Sequence, residues 1–267
     1  MQVKPRHILS LALVLLLGAF VRIHRLSFES PWYDEVITLR HLADPSLRMF
    51  LAHVEITNPT ITPGYFIFEY YWAHWVDPSA MSLRAVSVVA GVLTLAMLYV
   101  LARRFIGHNG AILASALMAV NPLHVYHSQA IRMYAPIVLL GLVSAYTYFR
   151  LLHTPRPLWW MFHFAANLAL VWIHPLTAPI FVTEGLVLLF FERKRPRLVS
   201  AWFGGHAAIA ISLLGWIASI DPVAARNQGG SVTVPTIFRS DARGNSIEHV
   251  LGQWSGGYRP HMSSVFA

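Results

Sequence analysis

Apolar runs of helix length alternate with short polar segments along most of the chain. A membrane-spanning helix needs about 20 predominantly apolar residues. The first run covers residues 7–21, and six more cover residues 83–101, 111–123, 135–148, 158–173, 176–191 and 198–220. The pattern predicts an all-α integral membrane protein with about seven transmembrane helices.

Residues 22–80 are the longest interruption of this apolar pattern. Within them, residues 65–76 are strongly aromatic but include Glu69 and His74, a mixture that favours a helix lying in the membrane interface. A crossing helix is the alternative. We therefore predict a long first outer loop that contains interfacial helices.

The first apolar run has two interpretations. Lys4 and Arg6 precede it, as basic residues precede the apolar part of a signal peptide. However, Arg22, His24 and Arg25 follow where a cleavage site would need small residues. We therefore predict a retained membrane anchor.

The composition supports membrane insertion and narrows the chemistry. Of the 267 residues, 56% are hydrophobic and only 12% are charged, against about a quarter charged in a typical soluble domain. Cysteine is absent from the sequence, which excludes disulfides, thiolate metal ligands and thiol nucleophiles. The net charge of +8 comes from scattered basic residues rather than a continuous stripe, so we predict no nucleic-acid partner.

Basic residues fall on alternate sides of the predicted helices. Cytoplasmic loops of membrane proteins carry an excess of Lys and Arg. A cytoplasmic N-terminus places on the inside Lys4, Arg6, Arg103, Arg104, Arg150, Arg156, Arg193, Lys194, Arg195 and Arg197. Apart from Glu184 and Glu192, all the acidic residues then lie on the outer side. We predict a multi-pass protein whose active face is outside.

The first candidate site is the sequence Trp32-Tyr33-Asp34-Glu35. Adjacent carboxylates resist joint ionisation, so one of them tends to hold its proton longer and suits a general base. The alternative is two solvated loop acids, because Asp-Glu pairs are common.

The second candidate site is the polar outer loop over residues 121–134, where Arg132 is the only Lys or Arg. A guanidinium can bind phosphate oxygens bidentately. His124, Tyr126 and Tyr134 can donate hydrogen bonds to a sugar or a phosphate. The alternative is an interfacial aromatic belt with one snorkelling arginine.

Histidines are the possible metal ligands on the outer side. Among them are His41, His53, His74, His124, His127 and His174. The sequence lacks the HExxH spacing of a zinc site, so we predict no metal cofactor and keep a divalent metal as the alternative. His174, in the turn beside Pro175, is a ligand, a substrate contact or simply a polar turn residue.

Glu184 is a carboxylate predicted to lie within the membrane. Placing such a group there costs free energy, so a functional role is the first hypothesis. Glu184 and His206 lie at similar depth from the cytoplasmic ends of their helices. We predict a structural hydrogen bond between them. A proton relay is the alternative, although no further acids continue such a chain.

An ordered set of motifs covers nearly the whole chain. It comprises Trp32-Tyr33-Asp34-Glu35, Thr62-Pro63-Gly64-Tyr65, Leu83-Arg84, Leu101-Ala102-Arg103-Arg104-Phe105-Ile106-Gly107, Asn121-Pro122 and Ser128-Gln129-Ala130-Ile131-Arg132-Met133-Tyr134. This set resembles the GT-C glycosyltransferases of the protein mannosyltransferase and aminoarabinose transferase type.

The resemblance implies an enzyme of the plasma (inner) membrane that moves a sugar from a polyprenyl-phosphate carrier to a lipid, glycan or protein acceptor. It implies inversion at the sugar, with Asp34 as the base and Glu35 beside it. The departing phosphate needs stabilising charge, for which Arg132 is the best candidate. The other expected substrate-binding residues are Tyr134, Gln129, Arg84, His174 and Tyr65. The aromatic stretch at residues 65–75 can line a groove for the lipid carrier.

Two features depart from the family pattern. The family usually has Gln-Glu-Ala-Arg-x-Tyr before the fourth helix, whereas Ala130 stands here at the acidic position. The chain is also short for the family, so we expect one GT-C-like domain over residues 1–267 that is truncated at its C-terminus. Its expected parts are a first helix (1–24), an outer catalytic loop (25–80), six helices (81–220) and an incomplete outer segment (221–267).

The competing hypotheses are a non-catalytic relative that binds polyprenyl phosphate and a transporter-like module. Transporters place polar and charged residues near the bilayer midplane. Here the predicted midplane holds little besides Glu184 and His206, which favours chemistry at the outer surface.

Overall fold

The computed structural model describes residues 5–26, 30–58 and 61–219. Over these residues the regular elements are all helical. They are α1 (Pro5–Ile23), α2 (Tyr33–His41), α3 (Leu47–Thr57), α4 (Gly64–Trp75), α5 (Ala80–Ala119), α6 (Pro122–Ser128), α7 (Tyr134–His153), α8 (Pro157–Ile173), α9 (Ala178–Phe191) and α10 (Pro196–Ser219). The predicted all-α class is confirmed for this part of the chain. The outer segment expected at residues 221–267 lies outside the described residues.

Four of these helices are long and apolar enough to cross a membrane: α1, α5, α7 and α10. The apolar helices α8 and α9 are shorter. The chain is therefore an integral membrane protein, as its hydrophobic pattern predicts. Every predicted apolar run corresponds to a helix or, in α5, to one half of a helix.

The helix α5 contains a sharp break at Gly107, where φ is 71°. Glycine adopts this conformation without the steric cost that a Cβ would impose. Across the break, Ser115 Oγ donates to the Leu95 carbonyl at 3.1 Å, and the Tyr99 hydroxyl lies 2.8 Å from His108 Nδ1. The two halves of α5 therefore lie side by side, in agreement with the two separate runs predicted from the sequence.

The segment between α1 and α5 folds into three short helices with a shared core. Its buried side chains are Leu42, Phe50, Val54, Phe66, Tyr70 and Ala73, packed with Leu83 of α5 and Ile131. Helix α4 has 12 residues and packs Phe66, Tyr70 and Ala73 into this core of short helices. The geometry favours the interfacial interpretation of this helix over the crossing one.

A buried arginine fixes the loop that follows α5. The Arg22 guanidinium donates to the carbonyls of Gly18 and Ala119 at 2.9 and 3.1 Å and to Ser128 Oγ at 3.2 Å. It thereby satisfies carbonyls at the end of α5 that have no partner inside the helix. Gly91 leaves room for it, because a Cβ there would lie 2.9 Å from Arg22 Nε.

The predicted hydrogen bond between Glu184 and His206 is wrong. Glu184 Oε1 accepts instead from Ser144 Oγ at 3.1 Å, and His206 Nε2 lies 2.9 Å from the Asn167 amide nitrogen. Counting residues along a helix predicts how deep Glu184 and His206 lie in the membrane. It does not predict how each helix is rotated about its axis, which determines the partner of each side chain.

Candidate active site

Glu35 is fully buried and its carboxylate joins three segments of the chain. Arg84 of α5 binds it through two nitrogens, Nη2 to Oε2 at 2.7 Å and Nε to Oε1 at 3.3 Å. The backbone N–H groups of Ile131 and Trp32 donate to the same carboxylate at 2.6 and 3.3 Å. Because both oxygens are engaged, Glu35 holds the start of α2, α5 and the 128–132 segment in one arrangement.

Asp34, the neighbouring carboxylate, pairs with a different arginine. Its Oδ2 lies 3.0 Å from Arg132 Nη2, and the Asp34 side chain is 40% exposed while that of Arg132 is 4% exposed. Each of the two adjacent acids therefore pairs with its own arginine. The positive charges of Arg84 and Arg132 offset the repulsion between the two neighbouring carboxylates. Asp34 retains access to solvent and Glu35 does not.

Arg132 has binding capacity beyond its contact with Asp34. Its backbone carbonyl accepts from Ser87 Oγ at 3.3 Å, which fixes the segment on α5. Its Nε is buried and has no hydrogen-bond partner among the described residues. A buried guanidinium N–H of this kind is a ready donor for an anion such as phosphate.

Glu69 is a third carboxylate near this cluster, which we define as the acid–arginine site: Asp34, Glu35, Glu69, Arg84 and Arg132. Glu69 is buried, and within the described chain neither of its oxygens makes a hydrogen bond of standard geometry, although the Tyr65 side chain interacts with it. Burial raises its pKa to about 8, against the opposing effects of Tyr65 and Arg132. Near neutral pH the group is therefore mostly protonated. The sequence placed Glu69 only in an aromatic helix and missed its approach to Arg132.

An apolar groove of about 510 Å³ lies between α4, α5, α7 and α8. Tyr65, Phe68, Leu93 and Trp172 are among the side chains that line it. The aromatic stretch does line a groove, as expected from the sequence. The Tyr65 side chain also interacts with Glu69 and Arg132, so one residue connects the groove with the acid–arginine site.

A second, more polar cavity of about 270 Å³ lies beside Glu35 and Arg84 and is also lined by Gln129 and Ala130. The Gln129 amide donates to the carbonyls of Arg22 and His24, at 3.0 Å each. Two of the predicted substrate-binding residues, Arg84 and Gln129, therefore border one cavity while also holding the backbone around it. Their role toward a substrate stays a prediction.

Tyr134 and His174 lie in different surroundings. The Tyr134 ring is partly exposed at the start of α7, with its centre 4.6 Å from that of the His127 ring. His174 Nδ1 accepts from the Leu176 N–H at 3.2 Å and caps the turn before α9. Partial burial lowers the pKa of His174. These contacts agree with the interpretation of His174 as a turn residue.

Comparison with protein families identifies the family to which the chain belongs. Residues 73–218, more than half of the sequence, match the family described as dolichyl-phosphate-mannose-protein mannosyltransferase. The chain belongs to this family. We found no significant match among curated proteins or among solved structures. Membership makes the chain a membrane glycosyltransferase of the GT-C type, as the motif order indicates.

The region shared with the mannosyltransferase family covers only part of the acid–arginine site. Arg84 and Arg132 lie within the matched residues, whereas Asp34, Glu35 and Glu69 precede them. The family match therefore does not cover the three carboxylates. Their roles are supported instead by their contacts with Arg84 and Arg132.

Proposed function

We propose that this mannosyltransferase-family protein transfers a sugar from a polyprenyl-phosphate carrier to an acceptor hydroxyl at the outer membrane face, with Asp34 as the base. The best support is the ion pair of 3.0 Å between Asp34 and Arg132. It joins a partly exposed carboxylate to a buried guanidinium that interacts with Tyr65 of the groove. A base, a phosphate-binding cation and a surface for lipid thus occur together.

The donor would bind with its isoprenoid chain in the apolar groove and its phosphate at Arg132. The groove walls are almost entirely hydrocarbon and aromatic, with Phe68, Leu93 and Trp172 among them. The Arg132 Nε without a partner would donate to one phosphate oxygen, and Nη2 would donate to a second. Bidentate recognition of this kind is the geometry that arginine provides for phosphate.

Phosphate binding would also affect the base. Asp34 now holds Arg132 Nη2, so a phosphate that binds this nitrogen competes with Asp34 for the same donor. The carboxylate released in this way would be free to accept a hydrogen bond from the acceptor hydroxyl. Donor binding would therefore prepare Asp34 for the acceptor.

The transfer itself is a single displacement. Asp34 takes the proton of the acceptor hydroxyl, and the acceptor oxygen forms a bond to the anomeric carbon. The bond between that carbon and the phosphate oxygen breaks, and its electron pair leaves with polyprenyl phosphate. Attack opposite the leaving group inverts the anomeric centre. Arg132 offsets the charge that develops on the departing phosphate.

The proposed membrane arrangement has seven crossings with the N-terminus in the cytoplasm of a plasma (inner) membrane. Arg84 and Arg103 both lie on the first half of α5, 19 residues apart, or about 28 Å along a helix. That distance is close to the hydrocarbon thickness of about 30 Å. The acid–arginine site and the basic pair Arg103-Arg104 are thus about one membrane thickness apart along the helix, which supports the proposed orientation with Arg103-Arg104 on the cytoplasmic side.

Asp34→Asn in the full chain tests the proposal. The variant keeps the shape and a hydrogen bond to Arg132 but cannot take a proton, so transfer from a polyprenyl-phosphate sugar in vesicles should fall by about 10²–10⁴-fold. Glu55→Gln, which removes an exposed acid of α3, is the matched control and should keep the wild-type rate. A fully active Asp34→Asn enzyme would exclude Asp34 as the base.

A further inference from the structure

Three ionisable side chains meet inside the membrane region, far along the chain from the acid–arginine site. They are His163 of α8, Glu184 of α9 and His206 of α10, and their nearest ligand atoms all lie within 4.8 Å of one another. His163 is fully buried and Glu184 is 6% exposed. Each comes from a different helix, so the cluster exists only in the folded protein.

The hydrogen bonds of the two histidines fix which ring nitrogen faces the cluster. His206 Nδ1 lies 2.9 Å from the Trp202 carbonyl, which can only accept, so Nδ1 carries the proton. His163 Nδ1 lies 3.2 Å from Thr147 Oγ1, and this hydroxyl already donates to the Val143 carbonyl. Both rings therefore direct an Nε2 lone pair toward the centre, in the tautomer that metal-binding histidines adopt when the other nitrogen donates to an outer partner.

Glu184 supplies an oxygen to the same centre. Its Oε1 accepts from Ser144 Oγ. Oε2 is buried and makes no hydrogen bond of standard geometry in the described part of the chain, although the Trp202 side chain lies near enough to interact with the carboxylate. Oε2 lies 3.4 Å from His163 Nε2, longer than a typical hydrogen bond. The same distance is close to the separation of about 3.3 Å between two ligands of a tetrahedral zinc ion with bonds of about 2.0–2.1 Å.

Asn167 completes the set. Its amide nitrogen lies 3.1 Å from His163 Nε2 and 2.9 Å from His206 Nε2, and its Oδ1 is a buried atom without a partner among the described residues. Rotation of the amide by 180° exchanges its oxygen and nitrogen. Oδ1 would then take the fourth corner, at ligand-to-ligand distances that also suit a small metal ion.

We propose that this cluster binds a divalent transition metal, zinc in particular, through His163 Nε2, His206 Nε2, Glu184 Oε2 and Asn167 Oδ1. Four protein ligands make a closed site, which is the property of a structural rather than a catalytic zinc. The metal would connect α8, α9 and α10. An apolar cavity of about 520 Å³ separates parts of α9 and α10 beside His206, so a metal link would hold together helices that pack incompletely.

The first test measures metal content directly. The full chain, purified in detergent, is stripped with a chelator, dialysed against zinc and analysed by mass spectrometry for bound metal. About one zinc per chain is expected for the wild type, with an affinity at least about tenfold lower for Glu184→Gln and for His206→Gln. Wild-type protein that binds no zinc would overturn the proposal.

A matched control addresses a surface set of ligands. His41, Asp44 and His53 also lie with ligand atoms within 4.8 Å of one another, at the corner between α2 and α3. The double variant His41→Gln/His53→Gln should keep the zinc if the intramembrane cluster binds it. Loss of the zinc in this variant, together with its retention in Glu184→Gln, would overturn the assignment.

A second measurement covers variants that fold poorly. Zinc that binds the native state raises the unfolding temperature by mass action, so the wild type should melt at a higher temperature with zinc than with chelator. The shift should persist in the surface double variant and be smaller in Glu184→Gln. A wild-type protein whose unfolding temperature ignores zinc would contradict a structural metal.

Discussion

Two buried carboxylates of this chain have opposite surroundings. Glu35 forms an ion pair with Arg84 and accepts hydrogen bonds from two backbone N–H groups. Glu184 instead accepts a hydrogen bond from the Ser144 hydroxyl and lies beside the ring of His163. A buried carboxylate stays ionised only where charge and hydrogen bonds replace its water. The acid–arginine site therefore surrounds its carboxylate with permanent positive charge, whereas the described residues around Glu184 provide none.

The largest expected effect comes from removing the charge of Glu35. Glu35→Gln would break the ion pair between Glu35 and the buried Arg84, and breaking such a pair costs about 3–5 kcal/mol. Glu184→Gln, measured with chelator present, should change the free energy of unfolding by less than about 1 kcal/mol, because the amide keeps its bond to Ser144. Denaturant unfolding in detergent compares the two. Equal losses would mean that the two carboxylates depend on charge to the same degree.

The next effect concerns the donor. Arg132→Ala removes the proposed phosphate contact, and a hydrogen bond to a charged group contributes about 1.5–3 kcal/mol, so donor affinity should fall by about 10–150-fold while acceptor affinity changes little. Arg132→Lys should lie between, because an ammonium cannot bind phosphate bidentately. Arg40→Ala, which removes an exposed arginine of α2, is the control. Unchanged donor binding in Arg132→Ala would contradict the phosphate role.

Much of this fold can be predicted from the hydrophobic pattern. Each apolar run became a helix or half of α5, since burial of apolar residues in the bilayer requires backbone groups to be satisfied within the segment. The three helices between α1 and α5 were harder to predict, because α2 and α3 are short and gain their stability from a shared core around Phe50 and Phe66. Only long-range packing determines that core.

Most residues of the acid–arginine site could be predicted from the sequence, but the ion pairs that they form could not. Asp34 and Glu35 are neighbours in sequence, yet their partners Arg132 and Arg84 come from distant segments. Adjacency alone cannot show that one acid is buried and the other exposed. The proposed metal site is difficult to predict from the sequence for the same reason. Its residues His163, Glu184 and His206 are separated by 21 and 22 positions and form no local motif.

A further comparison concerns Glu69, which shares features with both Glu35 and Glu184. It is buried like Glu184 but faces Arg132, Glu35 and Tyr65. Burial raises its pKa from an ordinary value of 4.5 to about 8. Below about pH 4.5 the group is protonated in both the folded and the unfolded chain. Between about 4.5 and 8 only the folded chain keeps the proton, so stability decreases as pH rises and levels off above 8.

Glu69→Gln removes this dependence, because an amide does not titrate. Unfolding temperatures of the wild type and the variant at pH 5, 7 and 8.5 should therefore diverge in favour of the variant as the pH rises, with little further change above about pH 8. Parallel curves would show that Glu69 ionises at an ordinary pH. In that case Arg132 would already have two ionised neighbours, Asp34 and Glu69. Their negative charges would weaken the attraction of Arg132 for phosphate and would argue against this arginine as the donor site.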